Sequence, residues 1–170
     1  MNVTFEMPEM VAETKAVKPA RRKILLVDDD PAIRRILLRL LEEENYFVLT
    51  AANGDEALAL AGATKFNLAL LDLNMPVKDG WETYKHLSTR NPELPIILIT
   101  ARPNQFFPAL ASGVDALLEK PLDFVKLFHT IHTLLEEPAE ARQARFLGRP
   151  PAFRFIPPIP DESACNRHEK

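Results

Sequence analysis

Five short apolar runs recur along the chain: Ile24 to Val27, Phe47 to Ala51, the run from Leu68 to Asp72, Ile96 to Ile99, and Ala116 to Glu119. Runs of this length bounded by turn residues read as strands, the more apolar of them buried on both faces. Between them lie stretches with helical spacing. Asp30-Pro31 is a helix start, because proline suits a first turn behind an aspartate. Ile33, Ile36, Leu37, Leu40 and Leu41 then keep one face, Arg34, Arg35 and Arg39 take the other, and Glu42 to Glu44 close the helix. After the Asn53-Gly54 turn, Asp55 and Glu56 favour a second helix start. Ala57, Leu58, Leu60 and Ala61 continue it to a stop at Gly62. Trp81 to about Thr89 forms a third helix. Arg102 to Ser112 forms a weaker fourth, interrupted by Pro103 and Pro108. Leu122 to Leu135 forms an amphipathic fifth, with Leu122, Val125, Phe128, Ile131 and Leu135 on one side.

Strand then helix, five times over, implies an α/β domain: a doubly wound parallel sheet with helices on both faces. Five strands point to the flavodoxin-like order 2-1-3-4-5. That order sets strands one and three side by side at the switch point, and open sheets of this kind keep their ligand crevice at the carboxyl ends of the strands. The strands bordering the crevice all end in functional side chains: Asp28 and Asp29, Asp72, Thr100, and Lys120. An unpaired carboxylate inside a buried strand is costly, which puts Asp72 at the strand's end, ahead of Asn74, Met75-Pro76 and the Asp79-Gly80 turn. One carboxylate at a strand end is usually only a turn former. The convergence of all five residues carries the functional argument.

Three carboxylates in one crevice repel each other, so their titrations are expected to be coupled and partly raised. A hard divalent cation relieves this, and Mg2+ takes a few carboxylate oxygens while leaving room for phosphate oxygens. Lys120 adds a compact positive charge and Thr100 a hydroxyl donor. Such a site lacks a phosphoryl group and is built to receive one. A carboxylate can be the nucleophile, giving an acyl phosphate, and Asp72 lies centrally, between the acidic pair and the Thr-Lys side.

The segments ILLVDDD (Ile24 to Asp30), LLDLNMPVKDG (Leu70 to Gly80), IILITA (Ile96 to Ala101) and EKP (Glu119 to Pro121) resemble the receiver domain of two-component response regulators, over about Lys23 to Leu135. The resemblance implies that a sensor histidine kinase or phosphotransfer protein phosphorylates Asp72. It implies that Asp28, Asp29, Asp72 and the backbone carbonyl of Asn74 hold Mg2+, and that Thr100 and Lys120 read the phosphate. It also implies a cis bond at Lys120-Pro121, which proline makes accessible. Asn74 and Arg102 then flank the path of the water that hydrolyses the acyl phosphate. Two departures stand out. The family often has Tyr or Phe three residues before the lysine, where this chain has Leu117. The Thr100 to Lys120 segment is also shorter than usual and carries Phe106 and Phe107, so the surface offered to an output partner is expected to be unusual.

The chain has 170 residues and a net charge of -3, which gives no whole-chain case for nucleic acid. Cys165 is the only cysteine, so no intrachain disulfide forms and a reducing, cytoplasmic setting is expected. Residues 1–22 read as a flexible arm, 23–135 as the receiver domain, and 136–170 as a Pro- and Arg-rich tail without structure, too short for a DNA-binding domain. No membrane span is expected, and the downstream protein target is unnamed by the sequence. His129 and His132 read as surface residues and Trp81 as a packing residue.

The expected function is therefore a stand-alone receiver that signals by altered protein contacts or onward phosphorelay and acts on no outside substrate. Two rivals exist. In a haloacid dehalogenase-type phosphatase, Asp28 would be the nucleophile of an Asp28-x-Asp30 pair, but only Asp123 follows the lysine where a further acidic pair is expected. A receiver used purely as a binding module would not need the intact residue set.

Overall fold

The structure, a computed structural model, describes residues 21–76, 80–138, 140, 141, 144, 147 and 153–159. Its elements in chain order are β1 (Lys23–Val27), α1 (Pro31–Glu43), β2 (Phe47–Ala51), α2 (Gly54–Ala63), β3 (Leu68–Asp72), α3 (Gly80–Arg90), β4 (Ile96–Thr100), α4 (Phe106–Ser112), β5 (Ala116–Glu119), α5 (Phe124–Leu135) and β6 (Arg154–Ile156). The sheet runs β2-β1-β3-β4-β5-β6 and every pairing is parallel. The flavodoxin-like order is thus present, with a sixth strand added beyond β5. Of the expected N-terminal arm, only Arg21 and Arg22 lie within the described residues.

Alternation along the strands builds two apolar layers. Ile24, Leu26, Leu68, Leu70, Ile97, Ile99 and Leu118 pack with Leu37 and Leu41 of α1 and with Leu127, Ile131 and Leu134 of α5. Leu25, Val27, Ala69, Leu71, Leu98 and Leu117 face Ala57 of α2, Tyr84 and Leu87 of α3, and Ala109 of α4. Every residue of β3 and β4 is buried, which fixes the two central strands that carry Asp72 and Thr100. Leu117, the residue in place of the family's aromatic, is wholly enclosed in the second layer.

The helix ends follow their caps. Asp30 caps α1 by accepting the Ala32 N–H at 2.7 Å and the Ile33 N–H at 3.4 Å. Asn53 caps α2 reciprocally with Glu56: its Oδ1 accepts the Glu56 N–H at 2.9 Å, and Glu56 Oε2 accepts the Ala52 N–H at 2.8 Å. Asp123 caps α5 through the Lys126 N–H. The short α4 stops at Gly113, whose φ of 74° is the left-handed cap that glycine adopts without penalty. Trp81 packs edge-on against Tyr84 and donates its Nε1–H to Gln105 Oε1 at 2.9 Å, tying α3 to the start of α4.

Three expectations need correction. Ile36 is 54% exposed and Val125 79% exposed, so neither belongs to the core face assigned to it. In α5 the buried stripe is Leu127, Ile131, Leu134 and Leu135; the helix is apolar on two adjacent stripes, and periodicity alone does not choose between them. In α2, Gly62 lies inside the helix, which ends at Ala63 with Thr64 as its cap. The largest correction concerns the tail. Residues 136–170 read as unstructured because prolines break any long element, yet Arg154–Ile156 pairs with β5. An edge strand needs only one hydrogen-bonding side, so three residues between prolines suffice. The return connection needed for a parallel strand contains α5.

Candidate functional site

The carboxyl ends of β1, β3, β4 and β5 meet on one side of the sheet. β1 delivers Asp28, and the turn into α1 delivers Asp29. The Asp28 Oδ1 accepts the Asp30 N–H at 2.9 Å, which holds the turn closed. From α1, Arg34 reaches back and donates through Nη1 to the carbonyl oxygens of Asp28 at 2.6 Å and Asp29 at 3.2 Å. β3 delivers Asp72, whose Oδ1 accepts the Asn74 N–H at 2.8 Å. Oxygen atoms of Asp28, Asp29 and Asp72 lie within 4.8 Å of one another. Asp28 and Asp72 are each 1% exposed, and Asp29 is the most open of the three.

Lys120 enters from the end of β5. Its Nζ donates to Asp72 Oδ2 at 2.6 Å and to Asp28 Oδ2 at 3.3 Å. The Lys120 N–H bonds to the Thr100 carbonyl at 2.7 Å, and the Lys120-Pro121 bond is cis, as the resemblance implied. Thr100 is fully buried; its hydroxyl donates to Asn74 Oδ1 at 3.1 Å and accepts the Arg102 N–H at 2.9 Å. The Ala101 N–H shares that Asn74 oxygen at 3.1 Å. All six residues singled out in the sequence therefore stand at one rim. Lys120 contacts Asp72 directly, and Thr100 is held beside it through Asn74.

Burial pushes the Asp28 carboxyl above its ordinary 3.8; Lys120 opposes this, and the charge of Asp72 adds to it. Burial alone would lower Lys120, but its bond to Asp72 and the charges of Asp72 and Asp28 outweigh that and hold it above 10.5. One ammonium thus faces two enclosed carboxylates, with a third nearby. The donor set is entirely oxygen and its charge is underneutralised, which fits a hard divalent cation rather than a soft one.

Two residues of this architecture escaped the sequence reading. The helical pattern puts Arg34 on the solvent face of α1; its position one turn into the helix behind the acidic cluster is the available signal. Gly80 reads in sequence as a turn residue. It starts α3, and a Cβ built on it would lie 2.5 Å from Leu73 Cα and 2.6 Å from the Asp72 carbonyl oxygen. Its glycine is required by close approach to the backbone that carries Asp72.

The family model described as the response regulator receiver domain matches residues 24–132. The transcriptional regulatory protein GlrR of Escherichia coli is 35% identical over 131 residues, covering 76% of this chain and 29% of GlrR. The transcriptional regulatory protein ResD of Bacillus subtilis is 36% identical over 120 residues, covering 69% of this chain and 50% of ResD. The chain thus spans half or less of these two relatives. Among solved structures, a CheY-like response regulator receiver domain protein from Methanospirillum hungatei aligns with a TM-score of 0.65 at 33% identity, covering 69% of this chain and 95% of that one. The response regulator TrrA of Thermotoga maritima, in complex with Mg2+ and BeF, aligns with a TM-score of 0.62 at 33% identity, covering 66% and 98%. Among the described residues, no helix is long and apolar enough to cross a membrane. The chain belongs to the response regulator receiver domain family, and so to phosphorylation-based two-component signalling.

Proposed function

We propose that Asp72 is the phosphoryl acceptor, that the donor is a histidine kinase or phosphotransfer protein, and that the reaction depends on Mg2+. The observation that carries this reading is the pairing of Lys120 Nζ with Asp72 Oδ2 at 2.6 Å, against 3.3 Å to Asp28. A carboxylate oxygen of Asp72 attacks the donor's phosphorus, the bond from phosphorus to the donor breaks, and its electron pair leaves with the donor. Asp28, Asp29, Asp72 and the Asn74 carbonyl would hold Mg2+, which when bound supplies positive charge beside the transferred oxygens. Lys120 meets a phosphoryl oxygen by giving up its shorter bond to Asp72. Thr100 meets another by turning its hydroxyl away from Asn74. Arg34 orients the acidic turn by pinning the Asp28 and Asp29 carbonyls. The domain acts on no outside substrate; its output is a changed surface or onward transfer, in the cytoplasm.

The role of Asp30 supports the receiver reading over the phosphatase. Its Oδ1 caps α1, accepting the Ala32 and Ile33 N–H groups, which gives this carboxylate a structural role in place of the second acid of a pair with Asp28. The test uses acetyl phosphate with Mg2+, followed by intact mass. The chain should gain one phosphoryl group, Asp72→Asn should gain none, and Asp28→Asn should be slowed through loss of metal. Labelling that survives in Asp72→Asn and vanishes in Asp28→Asn would restore the phosphatase reading.

The raised Asp28 carboxyl has a further consequence. A proton and Mg2+ compete for it, so apparent Mg2+ affinity should fall as pH is lowered. The fall should begin at higher pH than an ordinary aspartate of 3.8 would give. Calorimetric titration of Mg2+ at several pH values checks this. An affinity that stays flat until pH nears 3.8 would contradict it.

A further inference from the structure

The sixth strand is tied to the two ends of β5, and its second tie lies beside the site. The Arg154 N–H donates to the Asp115 carbonyl at 3.0 Å, and the Ile159 N–H to the Pro121 carbonyl at 3.3 Å, so residues 153–159 run beside β5 to the residue that follows Lys120. Side chains leave this strap on both faces. Ile156 packs on the layer beneath α1 and α5, and Phe153 on the layer beneath α2, α3 and α4. Phe106, the first residue of α4, sits at the centre of an aromatic cluster. Its ring centroid lies 5.5 Å from Phe153, 5.1 Å from Phe155 and 5.2 Å from Phe107, each edge to face. The strap is nevertheless slight, with three paired residues and Phe155 38% exposed.

We propose that residues 153–159 are an intramolecular ligand of the β5 edge and the α4 aromatic face, and that a phosphoryl group on Asp72 loosens their hold. The coupling rests on the phosphorylation reading above. The Thr100 hydroxyl has one proton, and that proton is given to Asn74 Oδ1. To reach a phosphoryl oxygen it must let go of Asn74, and the Arg102 N–H, bonded to the same hydroxyl, moves with it. Arg102 to Gln105 is the short lead into Phe106, the residue that grips both strap phenylalanines. The change at Asp72 is thereby delivered to the strap through α4, with Leu117 staying buried. While the strap is seated, the β5 edge is paired, and an extended partner segment is excluded from it.

Hydrogen exchange on the full chain tests this, with and without acetyl phosphate and Mg2+, and with intact mass read on the same samples. On phosphorylation the Arg154 and Ile159 amides should lose protection. In Phe155→Ser, which leaves the phosphoryl site untouched, both amides should be unprotected before and after phosphorylation while the mass increase persists. A chain that carries the phosphoryl group and keeps both amides as protected as before would overturn the coupling. Phe155→Ser with undiminished protection would overturn the strap. Absence of the mass increase would overturn the phosphorylation reading, and the coupling with it, while the Phe155→Ser comparison still decides the strap.

Discussion

Lys120→Met should lose most phosphoryl uptake and lower the stability of the metal-free fold. Methionine keeps most of the apolar stem and removes the ammonium, so the change falls chiefly on the charge. Removing one partner of a buried ion pair costs roughly 3–5 kcal/mol, and the partial exposure of Lys120 places it at about 3. For a chain of this size that is roughly 6–12 °C in melting temperature. Uptake should fall on the order of a hundredfold or more, as expected for loss of a charged group that stabilises a transferring phosphoryl. The pH dependence separates this from general damage. In the native chain the raised lysine stabilises the fold fully below 10.5 and is lost only as pH rises through its elevated folded value. Asp28 has the opposite sign. A carboxyl raised above 3.8 in the fold weakens stability as pH climbs from 3.8 through the raised value. Without Lys120 that carboxyl rises further, so the variant's deficit should grow from acid to neutral pH and shrink when Mg2+ is added. Thermal melts across pH, with and without Mg2+, read both effects.

Gly80→Ala should be the most damaging single-methyl change in the chain's central loop region. The new Cβ would meet Leu73 Cα and the Asp72 carbonyl oxygen, and backbone atoms cannot swing aside as a side chain can. Overpacking costs about 1–3 kcal/mol where side chains relax, and this site has little to relax. The displaced backbone carries Asp72, so phosphoryl uptake should fall together with stability. Gly62→Ala is the control. Nothing lies within 4 Å of a Cβ at that helical position, so alanine should stabilise by about 0.5–1 kcal/mol and leave uptake unchanged. Urea unfolding of the pair, with uptake measured in parallel, would contradict the account if the two glycines behaved alike.

The central strands were legible because they are buried on both faces, which writes their length directly into the sequence as apolar runs. Once the strand-helix alternation set the order, Asp28, Asp72, Thr100 and Lys120 followed as strand-end residues. What escaped depends on tertiary contact. The face of α5 was ambiguous because Val125 and Phe128 form a stripe as apolar as that of Leu127 and Ile131. Gly80 is demanded by backbone packing that no spacing rule encodes. Arg34 reads as one of three surface arginines until its reach to Asp28 and Asp29 is seen. β6 is hidden by its prolines, although Phe153, Arg154 and Phe155 alternate as a strand does; the pairing partner, the open edge of β5, is visible only in the fold.

The most direct measurement locates the acyl phosphate itself. The chain is treated with acetyl phosphate and Mg2+, reduced with borohydride, which converts an aspartyl phosphate to homoserine, and then mapped by peptide mass spectrometry. The account predicts homoserine at position 72 and aspartate retained at 28 and 29. Homoserine at 28 or 29, or nowhere in a chain that has gained phosphoryl mass, would contradict it.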